Sequence, residues 1–162
     1  MPIQQKESYK WIAASNQSKT LLHQAHTITI VADRESDMYD LLATVPQQHV
    51  HLLLRSNANR QIETGGNLVN YLNNLPVMHQ YNLMVRGDVR KSIGKRTATM
   101  DLKWGKVAVT KPPNCKNKEL PKSKELYVVE AKEQNKKECI YWQTNAAGYD
   151  GRTAHTANDA GL

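Results

Sequence analysis

Four carboxylates, Asp33, Glu35, Asp37 and Asp40, fall within eight residues of one another. Carboxylates that close either hold a hard divalent cation, magnesium or manganese, or repel one another until a cation such as Arg34 relieves them. The same residues also suit a plain structural role, because acidic side chains are favoured in a helix's first turn, where the macrodipole is positive. Asp40 lies well inside that helix and is assigned to the surface. His23 and His26, three apart, would share a helix face, but no third ligand accompanies them and surface positions are expected. The chain carries no phosphate-cradling glycine loop, nucleophile elbow, zinc pattern or cysteine–histidine pair.

The elements that must position these carboxylates lie on either side of them. Thr27-Ile28-Thr29-Ile30-Val31 is rich in β-branched residues and reads as a buried strand that stops at Asp33. Ser36 is a candidate cap for the helix that follows, with Met38, Leu41 and Leu42 as its apolar face. Val50–Leu54 reads as a second strand, which delivers Arg55. One helix in so short a crossover predicts a right-handed β-α-β unit with parallel strands. Sites in open α/β sheets gather at the carboxyl ends of such strands, which is where Asp33 stands.

The length of 162 residues allows one ordinary domain with a usable core, or one domain plus part of another. No apolar stretch approaches the ~18–20 residues a bilayer crossing needs. The first residues, Met1–Lys6, lack the apolar region of a secretory signal. Two cysteines, Cys115 and Cys139, are too few for a disulfide scaffold, so a reducing cytoplasm is the expected compartment. The net charge of +7 is unevenly placed: residues 1–85 carry six basic and six acidic side chains, residues 86–162 sixteen and nine. Between Arg86 and Lys124 the tally is twelve basic to three acidic. That region is either a polyanion-binding surface or a lysine-rich solvated one.

Along the rest of the chain, Glu7–Gln17 is predicted as a helix with Tyr9, Trp11, Ile12 and Ala13 on its apolar side, ending in Ser15–Ser18. Ser56–Asn67 is polar, closes on Gly65-Gly66-Asn67, and is predicted as an exposed, mobile loop. Leu68–Leu75 fits a short amphipathic helix stopped by Pro76. Tyr81–Val85 is a candidate strand. Thr97–Trp104 and Lys106–Lys111 alternate on either side of Gly105 and predict a hairpin with one packed and one basic face. A lysine-rich loop leads to Lys124, and Leu126–Glu130 and Cys139–Trp142 are two further strands, expected to join the hairpin in one small antiparallel sheet. From Asn145 on the pattern fails and a disordered tail is expected.

The order of residues carries more than their spacing. Val31-Ala32-Asp33-Arg34-Glu35-Ser36-Asp37-Met38-Tyr39, followed by Leu52-Leu53-Leu54-Arg55-Ser56, closely resembles the block around the second catalytic aspartate of bacterial cut-and-paste DDE transposases of the insertion-sequence-four type. Pro2-Ile3-Gln4-Gln5-Lys6-Glu7-Ser8-Tyr9-Lys10-Trp11 is similar to the segment preceding that block. Arg96-Thr97-Ala98 leading into Trp104-Gly105-Lys106-Val107 is similar to the β-rich insertion those enzymes carry before their catalytic glutamate. The resemblance implies an α/β fold: a partial ribonuclease-H-like core over 1–75, made of the β-α-β unit plus an N-terminal helix, a basic β-rich antiparallel insertion subdomain over 76–144, and the tail over 145–162. It implies two magnesium (or manganese) ions activating water and then a 3′ hydroxyl for attack on DNA phosphodiesters. It assigns Asp33 as catalytic residue and metal ligand, and Arg34 and Arg55 as contacts to the DNA backbone. Glu35 and Asp37 are expected to shape the turn. Lys95, Arg96 and Lys106 are the basic hairpin's candidate DNA contacts.

The family's first aspartate is expected on a strand before the Lys6-Glu7-Ser8 helix, and its glutamate on a helix after the strand at Cys139–Gln143; neither pattern is found. A truncated fragment, its last stretch resembling a frameshift, is therefore expected, with weak or no magnesium binding and no transposition by itself. Possible partners are DNA, a second copy of the chain, or a full-length transposase. The alternatives are a non-enzymatic basic nucleic-acid-binding module, a regulator of a full-length transposase, and a self-contained metal-dependent nuclease.

Overall fold

Ile28–Ala32 forms strand β1, and the acidic stretch after it leads through a 3₁₀ turn, Arg34–Ser36, to helix α2, Tyr39–Thr44. This is seen in a computed structural model that describes residues 9–87, 90, 92, 94–136 and 139–145, with Cys139 described by its backbone alone. The remaining elements are α1 (Tyr9–Leu21), β2 (Val50–Arg55), α3 (Leu68–Asn73), β3 (His79–Val85), β4 (Arg96–Thr110), β5 (Ser123–Glu133) and β6 (Cys139–Thr144). The protein is mixed α/β, with one curled six-stranded sheet in the order β1-β2-β6-β5-β4-β3 and few helices. Among the described residues no helix is long and apolar enough to cross a membrane.

β1 and β2 pair in parallel, Ile28 opposite Val50 through Ala32 opposite Leu54, as the single-helix crossover between them requires. Every other pairing is antiparallel. The segments expected to form a small sheet of their own are three strands rather than four, β4, β5 and β6, paired in that order, and β6 also pairs with β2, Arg55 opposite Trp142, so one sheet runs through both halves of the chain. Leu52 and Leu54 face one side of this sheet and Leu53 the other, and all three are buried. Such a strand is covered on both faces and reads as a continuous apolar run. On the helix-bearing face, Leu41, Leu42, Val45, Leu52, Leu54, Leu72, Leu126 and Val128 share one core with Ile12 of α1. On the other face, Leu53, Met100, Leu102, Val129, Ala131 and Trp142 form a second, onto which Tyr81, Leu83 and Trp104 pack.

Several expectations are corrected. Gly105 is no turn: β4 passes through it as one strand of 15 residues. A Cβ there would meet the Tyr71 hydroxyl and lie 3.1 Å from Leu75 Cδ1, so the missing side chain is what lets α3 cross the strand. Tyr71 Oη then donates to the Lys106 carbonyl at 2.9 Å. Helix α1 does not end at the serines. The hydroxyls of Ser15, Ser18 and Thr20 donate to the carbonyls of Trp11, Ala14 and Asn16, four residues back, and the helix runs on to Leu21.

The loop after Arg55 is exposed along most of its length, as expected, but it is anchored at two points. Arg60 and Ile62 are buried, and Glu63 and Thr110 donate their backbone N–H to Ala108 and Gln61. Only the tip is glycine-dependent, Gly65 and Gly66 having φ of +92° and +82°. Asn145 accepts from Leu52 N at 2.7 Å and so extends the pairing with β2. The tail from 146 on, like the Pro2–Ser8 motif, lies outside the described residues.

Candidate functional site

β1 ends at Ala32, and Asp33 is the next residue, exposed at the strand's carboxyl end. Its backbone is still extended, and its Oδ1 accepts from Glu35 N at 3.0 Å, capping the 3₁₀ turn. Ser36, expected to cap α2, instead donates its hydroxyl to the Asp33 carbonyl at 2.6 Å and is fully buried; the N-cap of α2 is Met38, which makes no side-chain cap hydrogen bond. The turn is therefore tied to Asp33 at both its side chain and its carbonyl. The second carboxylate oxygen, Oδ2, has no hydrogen bond among the described residues.

Asp37, four residues on, is the opposite case. Its side chain is 1% exposed, and its Oδ2 accepts from Asn57 N at 2.6 Å, Ala58 N at 2.7 Å and Ser56 Oγ at 3.4 Å. Its Oδ1 pairs with the guanidinium of Arg60, itself 6% exposed. So Arg60, and not Arg34, neutralises Asp37. This carboxylate ties the exit of β1 to the loop leaving β2, and its oxygens are committed to that task. Gln143, on the neighbouring β6, donates Nε2 to Ser56 Oγ at 2.6 Å and extends the network. Asp40, expected at the surface, is half-buried and accepts from the Cys115 thiol at 3.6 Å. Burial pushes that thiol's pKa up, and the neighbouring Asp40 adds to the effect.

The arginines assigned with Asp33 lie near it. Arg34 is exposed in the 3₁₀ turn, and Arg55 is half-buried at the end of β2, one step past the Ala32–Leu54 pair. The basic residues of β4 are not gathered with them. Trp104 is in the same row as Arg55, reached through Trp142 and Val129, which at ~4.8 Å per strand is about 14 Å away. Arg96 lies eight residues further along β4, and exposed Lys95 precedes it.

Two of these three cations are also paired. Arg96 grips Glu133 through both guanidinium nitrogens, which raises the arginine's pKa and lowers the glutamate's. Lys106 Nζ is 3.0 Å from Glu125 Oε1, and that hydrogen bond raises the lysine's pKa. Neither pair is directly cross-strand: in the β4–β5 register Glu125 is opposite Ala108, two residues from Lys106, and Glu133 is opposite Met100, four residues from Arg96.

A different basic segment emerges in the loop from Lys111 to Lys124. Lys111 Nζ donates to the carbonyls of Asn117 and Leu120, both at 3.3 Å, Tyr39 Oη donates to Pro121 O at 2.9 Å, and Leu120 is buried. The loop so fixed leaves Lys116, Lys118 and Lys122 exposed. The sequence identifies it as lysine-rich but gives no sign that one of its lysines is the internal brace. Arg60 likewise carries no pattern signal, because its partner is 23 residues away.

The described residues do not form a metal centre. No group of three or more His, Cys, Asp or Glu side chains among them is placed to hold an ion, and His23 uses its Nδ1 on the Thr20 carbonyl at 2.9 Å in a turn beyond α1. Asp33 is one open carboxylate, whereas magnesium takes several oxygens in an octahedron. Compared with protein-family models and with curated proteins, the chain matches none.

Proposed function

We propose that this chain is part of the catalytic core of a DDE-type DNA strand-transfer enzyme, with a partial ribonuclease-H-like β-α-β unit at its centre, and that it does not cut or join DNA by itself. The observation that carries the reading is the contrast inside one acidic motif. Asp33 is exposed at the carboxyl end of a parallel strand with an oxygen open, while Asp37 is buried and fully engaged in holding the turn. That is the division of labour the resemblance assigns to these two positions. Arg34 and Arg55 beside Asp33 supply positive charge where a phosphodiester backbone would lie. Inactivity in isolation follows from the ligand set, since Asp33 belongs to no group of three or more His, Cys, Asp or Glu side chains placed to hold an ion among the described residues. The test is incubation of the purified chain with supercoiled plasmid DNA and magnesium. Intact plasmid is the expected result, and nicking that disappears in Asp33→Ala would overturn the claim of inactivity.

A second reading, a non-enzymatic nucleic-acid-binding module, is favoured by the braced loop that holds Lys116, Lys118 and Lys122 in solvent. Under it, DNA affinity survives Asp33→Ala and its salt dependence weakens when the loop lysines are neutralised. Neutralising Arg96 and Lys106 should have less effect, because Glu133 and Glu125 already offset them. An affinity unchanged by the loop substitutions would exclude this reading.

A further inference from the structure

The sheet ends in two open edges among the described residues, β1 on one side and β3 on the other. An edge strand presents a row of unpaired backbone N–H and C=O groups, and proteins ordinarily guard it with charge, proline, a bulge or a cover. β3 follows Pro76, precedes Arg86 and includes His79, Gln80 and Asn82; the amides of Gln80 and Asn82 are engaged with β4, at Asp101 and Thr99. Within β1 itself no such guard stands among the described residues, the first charge being Asp33 just past its end. Its five residues, Ile-Thr-Ile-Val-Ala, contain no charge, no proline and no interruption in register, and Val31 is 46% exposed.

We propose that β1 is a self-association edge, to which β1 of a second copy adds antiparallel about a two-fold axis at Ile30, joining two sheets into one. The occupant is argued from the strand's fit to itself. An axis perpendicular to the sheet keeps each side chain on its own face, so only positions of the same parity meet. With the axis at Ile30, Ile28 faces the second copy's Ala32 and Ile30 faces its own copy on the helix-bearing side. On the other side Thr29 faces the second copy's Val31, a cross-strand pair of two β-branched residues. All five residues of the strand are matched. The flanking acids do not meet: Asp33 falls opposite Thr27 and Glu35 opposite Ala25.

Five residues of strand bury less than the ~1,200 Å² of a standard interface, so the dimer belongs with the weak, transient ones and separates on dilution. The two Asp33 residues end up about 20 Å apart, six positions at ~3.4 Å each, so the dimer does not assemble a shared metal site. The proposal is therefore independent of the strand-transfer reading and fails separately from it.

Sedimentation velocity over a concentration series tests it, with circular dichroism to verify folding. Wild type should pass from monomer to dimer as concentration rises. Val31→Lys and Thr29→Lys, both at exposed positions, should remain monomeric at the highest concentration, while Met84→Lys, on exposed β3, should dimerise like wild type. A wild-type chain that is monomeric throughout, a dimer that survives both β1 substitutions, or one lost in Met84→Lys would each overturn the proposal.

Discussion

Replacing Asp37 by alanine removes the acceptor for two backbone amides and one hydroxyl and leaves the Arg60 guanidinium without its counter-ion. These losses are unequal. Asn57 and Ala58 are exposed, so water replaces the carboxylate at their N–H groups and little is lost there. Arg60 is 6% exposed and has no such recourse. Breaking a buried ion pair from one side costs about 3–5 kcal/mol, because the surviving charge stays desolvated. Against the ~5–15 kcal/mol that holds a domain together, Asp37→Ala should remove about a fifth or more of the stability. Asp33→Ala should cost no more than about 1 kcal/mol, since it removes one exposed cap hydrogen bond. Urea unfolding of the two variants measures this contrast, and a cycle with Arg60→Met isolates the pair. The double variant should be less destabilised than the two single changes summed, by roughly 1–3 kcal/mol. An Asp37→Ala variant within about 0.5 kcal/mol of wild type, or strictly additive changes in the cycle, would refute the assignment of Asp37 as the structural carboxylate.

Further outcomes follow from other parts of the fold. Gly105→Ala should destabilise by about 1–3 kcal/mol, because its Cβ enters the space of the Tyr71 hydroxyl, and Gly105→Ala with Tyr71→Phe should recover part of that in thermal unfolding. Cys115, its pKa raised by burial, should react with iodoacetamide more slowly than a free thiol at mildly alkaline pH, measured in a Cys139→Ser background. Equal rates would contradict its burial. Glu133 is held below the ordinary carboxylate range by Arg96, so the pair's contribution is present above the unfolded carboxylate pKa and is lost as pH falls through the lower folded value. An NMR titration of the Glu133 side chain should show that downward shift vanish in Arg96→Gln.

The β-α-β unit could be read from the chain because both its signals are local: a β-branched run that ends at a carboxylate, and a crossover too short for anything but one helix. The position of Asp33 at a strand's carboxyl end came with it. Gly105 was misread for a physical reason. A glycine between two alternating runs is a hairpin signal, and nothing local reveals that α3 will cross the strand at that point. The serines of α1 misled in the same way, since a hydroxyl that ends a helix in one setting bonds back to the preceding turn in another. The anchoring of the loop after Arg55 at Arg60 and Ile62, the Asp37–Arg60 pair and the neutralisation of Arg96 and Lys106 depend on tertiary contacts that composition does not encode. Charge counting identified a basic half of the chain; tertiary contacts decide which of its cations face solvent alone.

The most direct measurement of the central claim, that Asp33 is the open carboxylate at the strand end and Asp37 the one committed to the turn, is a magnesium titration by calorimetry on the wild type, Asp33→Ala and Asp33→Asn. Weak binding in the millimolar range, abolished in both variants while their unfolding curves stay close to wild type, is the expected result for a single exposed carboxylate. Micromolar affinity, or binding that persists when Asp33 is gone, would contradict it.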